Sequence, residues 1–561
     1  MLNIGRWLLV VGCWLVGVMA FAGGQQQRSL SDTLFRPPVD YEVSLAGNFG
    51  EPRPHHFHGG LDVRTGGVEG KHIYAIADGY VSRITMGIDG FGNAVYITHP
   101  TGHTSIYAHL KSFSPRIKAA LRKYQYQHLT SVADARLTPL DVPVSQGQFI
   151  ALSGNTGHST APHLHLEIHD TRTWNMLDPY QFLNDFIQDT VPPQAHGFMA
   201  IPQGGTFNGT STRQTFDRDN MQTAWGRVGF AVWAEDYMQG SSNYFGIHEM
   251  LFYVDGQEVF HSVVDNIPTT LNRMVNSWGE YDHWLRHKSW YMKSYIDPGN
   301  TLRCLQADDN RGVVVFDEER PYQLEFVLRD FKGNESRYAF TVHGRQAPQS
   351  AFTLAPALRW NRTNSYSRPG MQLVVPYGFV AADVTLSPTV THQPDAWSDA
   401  YQYMLSSLPL MYDAELSIFA RFLSTDSIID SFDTSKLYIT NGHGRYFGGT
   451  YQNGWVTGYI RDLSGRYEIA YDDQPPTVTP ISPVPADRIA LRVVDNESGI
   501  SSWTATVDGR FIVFDAIEKT TSYVCSLSET WLRPTDTPHR LRFEVTDNRQ
   551  NTAIYETTFV Y

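Results

Sequence analysis

Ser153-Gly-Asn-Thr-Gly-His-Ser-Thr-Ala-Pro-His-Leu-His-Leu-Glu-Ile-His169 changes character halfway along. Its first half is rich in Gly and Ser and closes at Pro162, the signature of a loop. From His163 onward, polar and apolar residues alternate strictly. His163, His165, Glu167 and His169 fall on one face, and Leu164, Leu166 and Ile168 on the other. A period of two specifies a strand with a buried apolar side. Neighbouring histidines on the polar face lie about 7 Å apart. One of them can hold a metal while the other faces whatever the metal activates. A strand of this kind needs further ligands, which must come from elsewhere in the chain.

Working outward, 561 residues predict several domains. The net charge of −13, with no basic block against it, excludes nucleic acid and anionic membrane surfaces as partners. Residues 1–22 carry Arg6, an apolar run from Trp7 to Ala20, and the sequence Ala20-Phe21-Ala22. That pattern predicts a cleaved secretory signal peptide and an exported protein. Val10-Val11-Gly12-Cys13 loosely matches a lipoprotein processing site but leaves a very short apolar region before the cut. No later stretch is apolar enough to span a bilayer. Beyond Cys13 only Cys304 and Cys525 remain, and the expectation is two buried thiols, with no disulfide framework or cysteine zinc site.

The chain reads as mostly β. Residues 23–45 form a polar lead-in, and residues 46–190 show short strand runs punctuated by turns such as Asp78-Gly79. An insertion between Leu110 and Val142 holds a helix over Pro115–His128 and is either a wall of the substrate groove, the reading favoured, or a solvated excursion. Asp189-Thr-Val-Pro-Pro193 and Asp472-Asp-Gln-Pro-Pro476 read as linkers. A shared pattern comes after each of them. Ala234-Glu235-Asp236, Gly246-Ile247, Val254-Asp255-Gly256 and Leu328-Arg329-Asp330 with Gly333-Asn334 in one copy match Val494-Asp495-Asn496, Gly499-Ile500, Val507-Asp508-Gly509 and Val545-Thr546-Asp547 with Gln550-Asn551 in the other. This internal repeat predicts immunoglobulin-like β-sandwiches at 191–345 and 474–561, with a further sandwich at 346–473. Nothing in the sequence says what these modules bind. Because every candidate for chemistry precedes residue 170, the region after Pro192-Pro193 is expected to be separable.

His58-Gly-Gly-Leu-Asp62 supplies a second candidate ligand set, in which the two glycines favour a turn over a helix. His58, Asp62 and one of His163 or His165 give two nitrogens and one oxygen. Three protein ligands with an open fourth position is the pattern of catalytic zinc. Each motif alone arises about once by chance in a chain so rich in His and Asp. Their combination is less ordinary.

Gly47-Asn-Phe-Gly-Glu-Pro-Arg53, His58-Gly-Gly-Leu-Asp62, Ala75-Ile-Ala-Asp-Gly-Tyr-Val81, Ile106-Tyr-Ala-His-Leu110, Gly147–Gly157 and Pro162-His-Leu-His-Leu-Glu167 occur in this order. Together they resemble the lysostaphin-type (LytM-like) zinc endopeptidases of bacterial peptidoglycan, over about a quarter of the chain. The resemblance implies a β-sheet peptidase domain at 46–190 with His58, Asp62 and His165 as Zn2+ ligands. It implies His109 and His163 as catalytic histidines outside the ligand set, and peptidoglycan peptide as substrate. Ala161 and Leu166 depart from the family's usual Gly and Phe without touching a ligand. A non-catalytic activator of other wall hydrolases and a zinc peptidase acting on proteins are the alternative functions.

Metal-assisted peptide hydrolysis suits these residue types. A neutral imidazole takes a proton from water near neutral pH, and a second stabilises charge on the oxyanion or leaving amine. His55, His56, His72, His99, His103, His158 and His169 are expected at the surface or along the groove. Glu167 is either an orienting partner for a ligand or a solvated carboxylate.

Overall fold

The computed structural model describes residues 34–87, 90–347, 357–404, 406, 408–421, 433–442, 445–481 and 487–561. The expected signal peptide and residues 23–33 of the lead-in lie outside these residues. Among the described residues, no helix is long and apolar enough to cross a membrane.

Eight elements position the site: β1 (Leu45–Gly47), β2 (Gly60–Arg64), β3 (Gly79–Met86), β4 (Ala94–Thr98), β5 (His103–Ala108), α1 (Pro115–His128), β6 (Ala133–Arg136) and β7 (His163–Asp170). The strands form an antiparallel sheet in the order β1-β2-β7-β5-β4-β3-β6. The alternating strand is therefore central, paired with β2 on one side and β5 on the other. Its Leu164, Leu166 and Ile168 are buried with Leu61, Val63, Val95 and Tyr107 in the core beneath the sheet. Register sets His165 opposite Asp62 on β2 and opposite Ala108 on β5. Directly opposed residues share a face, so this pairing brings a ligand candidate from each strand to one side of the sheet. Gly60 is required by that pairing, because a Cβ there would lie 2.1 Å from the Leu166 carbonyl oxygen.

The region after Pro192-Pro193 shares its packing with this sheet. Met176–Leu177 pairs with β7 and also with Asn266–Ile267. Asn48 and Gly246 exchange two hydrogen bonds of 2.8 Å. Phe57 N donates to Asn272 Oδ1 at 2.6 Å, and Asp178 N donates to the Asp265 carbonyl at 2.9 Å. Phe49, Phe57 and Met176 are buried in the core of the second region, while Met238 and Phe245 are buried in that of the first. The expectation of a separable linker is corrected here. Interdigitated apolar side chains cross the boundary, and Pro-Pro marks only a turn in the chain.

Residues 194–344 hydrogen-bond as one 12-stranded sheet among the described residues. Gln222–Tyr237 runs for 16 residues, long enough to pair with several partners in succession and join what would otherwise be two layers. The two later regions are each built from two sheets around a common core. Sheets of five and four strands enclose Leu373, Leu416, Ile439 and Tyr467. Two four-stranded sheets enclose Leu491, Phe514 and Phe543. The repeated pattern makes the same bonds twice. Asp255 Oδ1 accepts from Gln323 N at 2.8 Å, and Asp508 Oδ1 from Arg540 N at 2.9 Å, each beside a left-handed Asp-Gly turn. Burial first, then the neighbouring Asp189 and Asp330 carboxylates, push Asp236 up to about 8. Cys304 and Cys525 are buried and free.

Helix α1 does not wall the groove. It buries Ile117, Leu121 and Gln125 against its own domain and turns Lys118 and Arg122 toward the C-terminal module. Arg122 makes a bidentate pair with Asp515 at 2.9 and 2.6 Å and reaches Glu529 at 3.1 Å, while Lys118 pairs with Glu529. A planar guanidinium suits this forked geometry, and partial burial protects it from screening. Phe514 N donates to Ser131 Oγ at 3.1 Å, and the rings of Tyr126 and Phe511 meet edge-on at 5.8 Å. The insertion is a bracket for the last module.

Candidate metal centre

Three donor atoms converge above the β2–β7 pair. His58 Nε2 lies 2.9 Å from Asp62 Oδ1 and 2.9 Å from His165 Nδ1, and His165 Nδ1 lies 2.8 Å from Asp62 Oδ1. The three residues are buried. Hydrogen bonds on their far sides decide which atoms face inward. His58 Nδ1–H donates to the Asn48 carbonyl at 2.6 Å, and His165 Nε2–H donates to Glu167 Oε1 at 2.9 Å. Each ring has then spent its one proton outward and presents a bare lone pair to the centre. Two nitrogen lone pairs and a carboxylate oxygen within 3 Å of one another demand a cation. The donor set, two imidazoles and one carboxylate, fits zinc with a position left open.

Charge around the centre obeys the same logic. Burial, aided by Arg53, pushes His58 down to about 4. Burial also opposes a charge on His165, but hydrogen bonds to Asp62 and Glu167 outweigh it and hold the ring at about 9. Burial alone would raise Asp62, yet His58, His163 and His165 together hold it well below the ordinary carboxylate range. Arg53 Nη2 donates to the other Asp62 oxygen at 2.7 Å, fixing the plane of the carboxylate. Glu167 bridges His165 and His169, the latter at 2.5 Å, so it is a buried orienting partner and not a solvated strand end. Gly59 leaves room for it, since a Cβ there would approach Glu167 Oε1 to 2.4 Å.

His163 and His109 stand beside the triad, their ring centroids 4.8 Å apart. His163 Nδ1–H donates to the Ala161 carbonyl at 2.8 Å, and its Nε2 lies 3.3 Å from Asp62 Oδ1. Continuing β5 regularly would set residue 109 opposite Leu164 and turn its side chain into the core. Instead His109 takes a left-handed φ of 58°, a conformation a non-glycine residue adopts at a cost of roughly 1–3 kcal/mol. That single residue swings its imidazole to the metal side of the sheet. Its Nδ1–H then donates to the Thr156 carbonyl at 2.8 Å, leaving Nε2 free. Burial, with His165 and His163 nearby, pushes His109 down to about 3.

All five residues singled out from the sequence are thus gathered at one place. Of the other histidines, His56, His158 and His169 line the cleft, while His99 is buried between the Asp78 carbonyl and Ser105 Oγ. Arg53 and Asn48 carry the orienting contacts that the sequence reading left without roles. Their place in the block just before His58 was the available signal.

The cleft over the triad has a volume of about 630 Å3. Phe91, Trp174, Thr269 and Asn272 are among its walls, so the region after Pro192-Pro193 contributes to it. On the opposite side, the C-terminal module touches the loop that begins at Ser153. Lys519 Nζ donates to the carbonyls of Asn155 at 2.5 Å and Ser159 at 2.6 Å, and Gly157 N donates to Glu518.

Residues 56–125 match peptidase family M23, and residues 355–472 match the Zu5-like domain. An uncharacterized metalloprotease of Haemophilus influenzae is 30% identical over 151 residues, 26% of this chain and 26% of that protein. The peptidoglycan DD-endopeptidase ShyA of Vibrio cholerae is 32% identical over 146 residues, 25% of this chain and 28% of that protein. The catalytic domain of lysostaphin from Staphylococcus simulans aligns at 24% identity over 26% of this chain and 92% of its own, with a TM-score of 0.20. The chain spans about a quarter of the length of the curated relatives it matches. The resemblance read from the sequence is borne out for the N-terminal region.

Proposed function

We propose that this protein is an exported zinc endopeptidase that hydrolyses peptide cross-links or stem peptides of bacterial peptidoglycan. The observation that carries the reading is the set of three inward lone pairs on His58, Asp62 and His165, flanked by two histidines that are not needed to complete it. The relatives named as peptidoglycan DD-endopeptidases support the substrate class. His58, Asp62 and His165 would hold the zinc through the donor atoms that face the centre. When bound, zinc lowers the pKa of water toward 7 and polarises the scissile carbonyl.

The chain's own residues do the rest. His109, neutral down to about pH 3, offers Nε2 as the acceptor for the proton of the attacking water. The Thr156 carbonyl holds its Nδ1–H, so the tautomer is fixed before substrate arrives. His163 gives its Nδ1–H to the Ala161 carbonyl and holds Nε2 3.3 Å from Asp62 Oδ1, which sets this ring beside the place where charge develops on the oxyanion or the leaving amine. Glu167, Asn48 and Arg53 keep the ligands in their orientations.

Purified protein incubated with sacculi should release products cut within peptide stems or cross-links, with glycan strands intact, as read by mass spectrometry. A chelator should stop the reaction and added zinc restore it. His109→Ala and His163→Ala should each keep zinc and lose roughly two to four orders of magnitude in turnover, the scale of acid–base groups. Cleaved glycosidic bonds, or intact muropeptides beside cleaved unfolded protein, would overturn the reading.

The loop that orients His109 is itself held from the far end of the chain. Lys519 binds carbonyls on both sides of Thr156, so Lys519→Ala should loosen that loop while leaving zinc in place. Initial rates on soluble muropeptide dimers should fall by up to roughly 10²-fold, the cost of displacing a reacting group by about 1 Å. Unchanged rates would show that the His109 tautomer is held without the C-terminal module.

A further inference from the structure

Among the described residues, two further groups of acidic side chains share no residue with the candidate metal centre, one at each linker. In the first, an oxygen from each of Asp189, Asp236 and Asp330 lies within 4.8 Å of the others. Asp472, Asp495 and Asp547 converge within the same distance to form the second. Asp189 and Asp472 belong to the linkers, each a few residues before a Pro-Pro pair. The other two members of each group come from the ends of two strands of the module that the linker enters.

The bonding in the two groups is the same although they are distant in sequence. Asn334 N donates to Asp330 Oδ1 at 2.9 Å, and its amide donates to Asp330 Oδ2 at 2.6 Å. Asn551 N donates to Asp547 Oδ1 at 2.9 Å, and its amide to Asp547 Oδ2 at 2.7 Å. The amide of each asparagine also reaches the linker aspartate's carbonyl, at 3.4 and 2.9 Å. The donors that hold these carboxylates are backbone N–H groups and asparagine amides, which are neutral. Such dipoles orient the three carboxyl groups without supplying a compensating positive charge. Lys332, the cation beside the first group, directs its ammonium to the Asn184 carbonyl at 2.7 Å.

One observation points beyond an acidic cluster to a ligand. Asp236 is 4% exposed, and among the described residues its buried Oδ1 has no hydrogen-bond partner. Beside the second group Ser498, 2% exposed, donates its N–H to Asp472 Oδ2 at 3.1 Å, and among the described residues its buried Oγ likewise has no partner. A buried polar oxygen left unpaired next to a cluster of carboxylates is costly unless something positive meets it. We propose that each linker junction binds one calcium ion, through Asp189, Asp236 and Asp330 in the first and Asp472, Asp495 and Asp547 in the second. The donors are all oxygen, which excludes the nitrogen-rich preference of the catalytic centre. Calcium takes six to eight oxygens in flexible geometry and accepts bidentate carboxylates, whereas magnesium demands a near-ideal octahedron. Each ion would tie an incoming linker to two loops of its module and fix the angle at which that module leaves. The second junction orients the module that carries Lys519 to the catalytic loop.

The test uses the full chain, depleted of divalent ions and reloaded with zinc alone, then titrated with calcium and followed by calorimetry and equilibrium dialysis. Two calcium ions should bind per chain, one in Asp236→Asn, one in Asp547→Asn and none in the double variant. Calcium should raise the melting temperature of the parent and leave that of the double variant unmoved. The parent stoichiometry stands without any variant, and each single variant checks the other should one fold poorly. A parent chain that binds no calcium at millimolar concentration, or variants that still bind two ions, would overturn the proposal. Equal binding of magnesium would overturn its assignment to calcium.

Discussion

Asp62→Ala protein is expected to purify folded, to carry no zinc, and to turn over muropeptides at about one thousandth of the parent rate or less. Asp62 supplies the sole anionic donor of the triad, at 2.9 and 2.8 Å from the two ligand nitrogens. Without it, two neutral imidazoles face each other and offer only two ligands, too few for a catalytic zinc site. The fold should survive because Asp62 belongs to a strand held by backbone pairing to β1 and β7. Arg53 loses its 2.7 Å partner but keeps Glu51 at 3.4 Å. His165→Ala should behave likewise, whereas His163→Ala should retain the metal. Elemental analysis beside melting curves separates the outcomes. Full zinc occupancy in Asp62→Ala would remove Asp62 from the ligand set, and loss of metal in His163→Ala with retention in His165→Ala would reverse the two histidines.

A fragment of residues 23–190 is expected to be insoluble or to melt far below the full chain, and to lose zinc. The cut uncovers Phe49, Phe57 and Met176, all nearly fully buried in the second core. It also removes Met238 and Phe245 from the first. Burying one such side chain contributes about 1.5–3 kcal/mol. Five of them together rival the roughly 5–15 kcal/mol that holds a whole domain folded. The damage falls next to the chemistry. Phe57 precedes His58, and its N–H loses the Asn272 acceptor. Asn48, whose carbonyl orients His58, loses both bonds to Gly246. Circular dichroism and zinc content of the fragment decide the matter. A soluble, zinc-loaded fragment with parental turnover would show that the crossing contacts are dispensable.

Much of the site was legible because its signals are local. Alternation from His163 to His169 comes from strand geometry, and β7 occurs where the period of two places it. The helix at Pro115–His128 was equally plain, from a proline at its start and a run of good helix formers. Its role was not. Lys118 and Arg122 look like a solvated charged face until Asp515 and Glu529 arrive from some four hundred residues away. Glu167 was ambiguous for a related reason. A carboxylate at a strand end is solvated or buried according to what covers it, and Met176 and the two glycines before Leu61 decide that.

The sequence by itself determined the β-rich class, the internal repeat, the three candidate ligand residues and the two accompanying histidines, because each is written in spacing within a few residues or in a recognisable block. Tertiary structure alone decided which nitrogen of each ligand faces inward, since that depends on the Asn48 carbonyl and Glu167 taking the other proton. It also decided that His109 reaches the metal side through a left-handed backbone angle. Above all it decided that the N-terminal sheet shares buried side chains and hydrogen bonds with the region after Pro192-Pro193, and that Lys519 of the last module holds the loop that begins at Ser153. Contacts between residues hundreds of positions apart leave no period in a single sequence. They arise only when folding brings those surfaces together and removes water from between them.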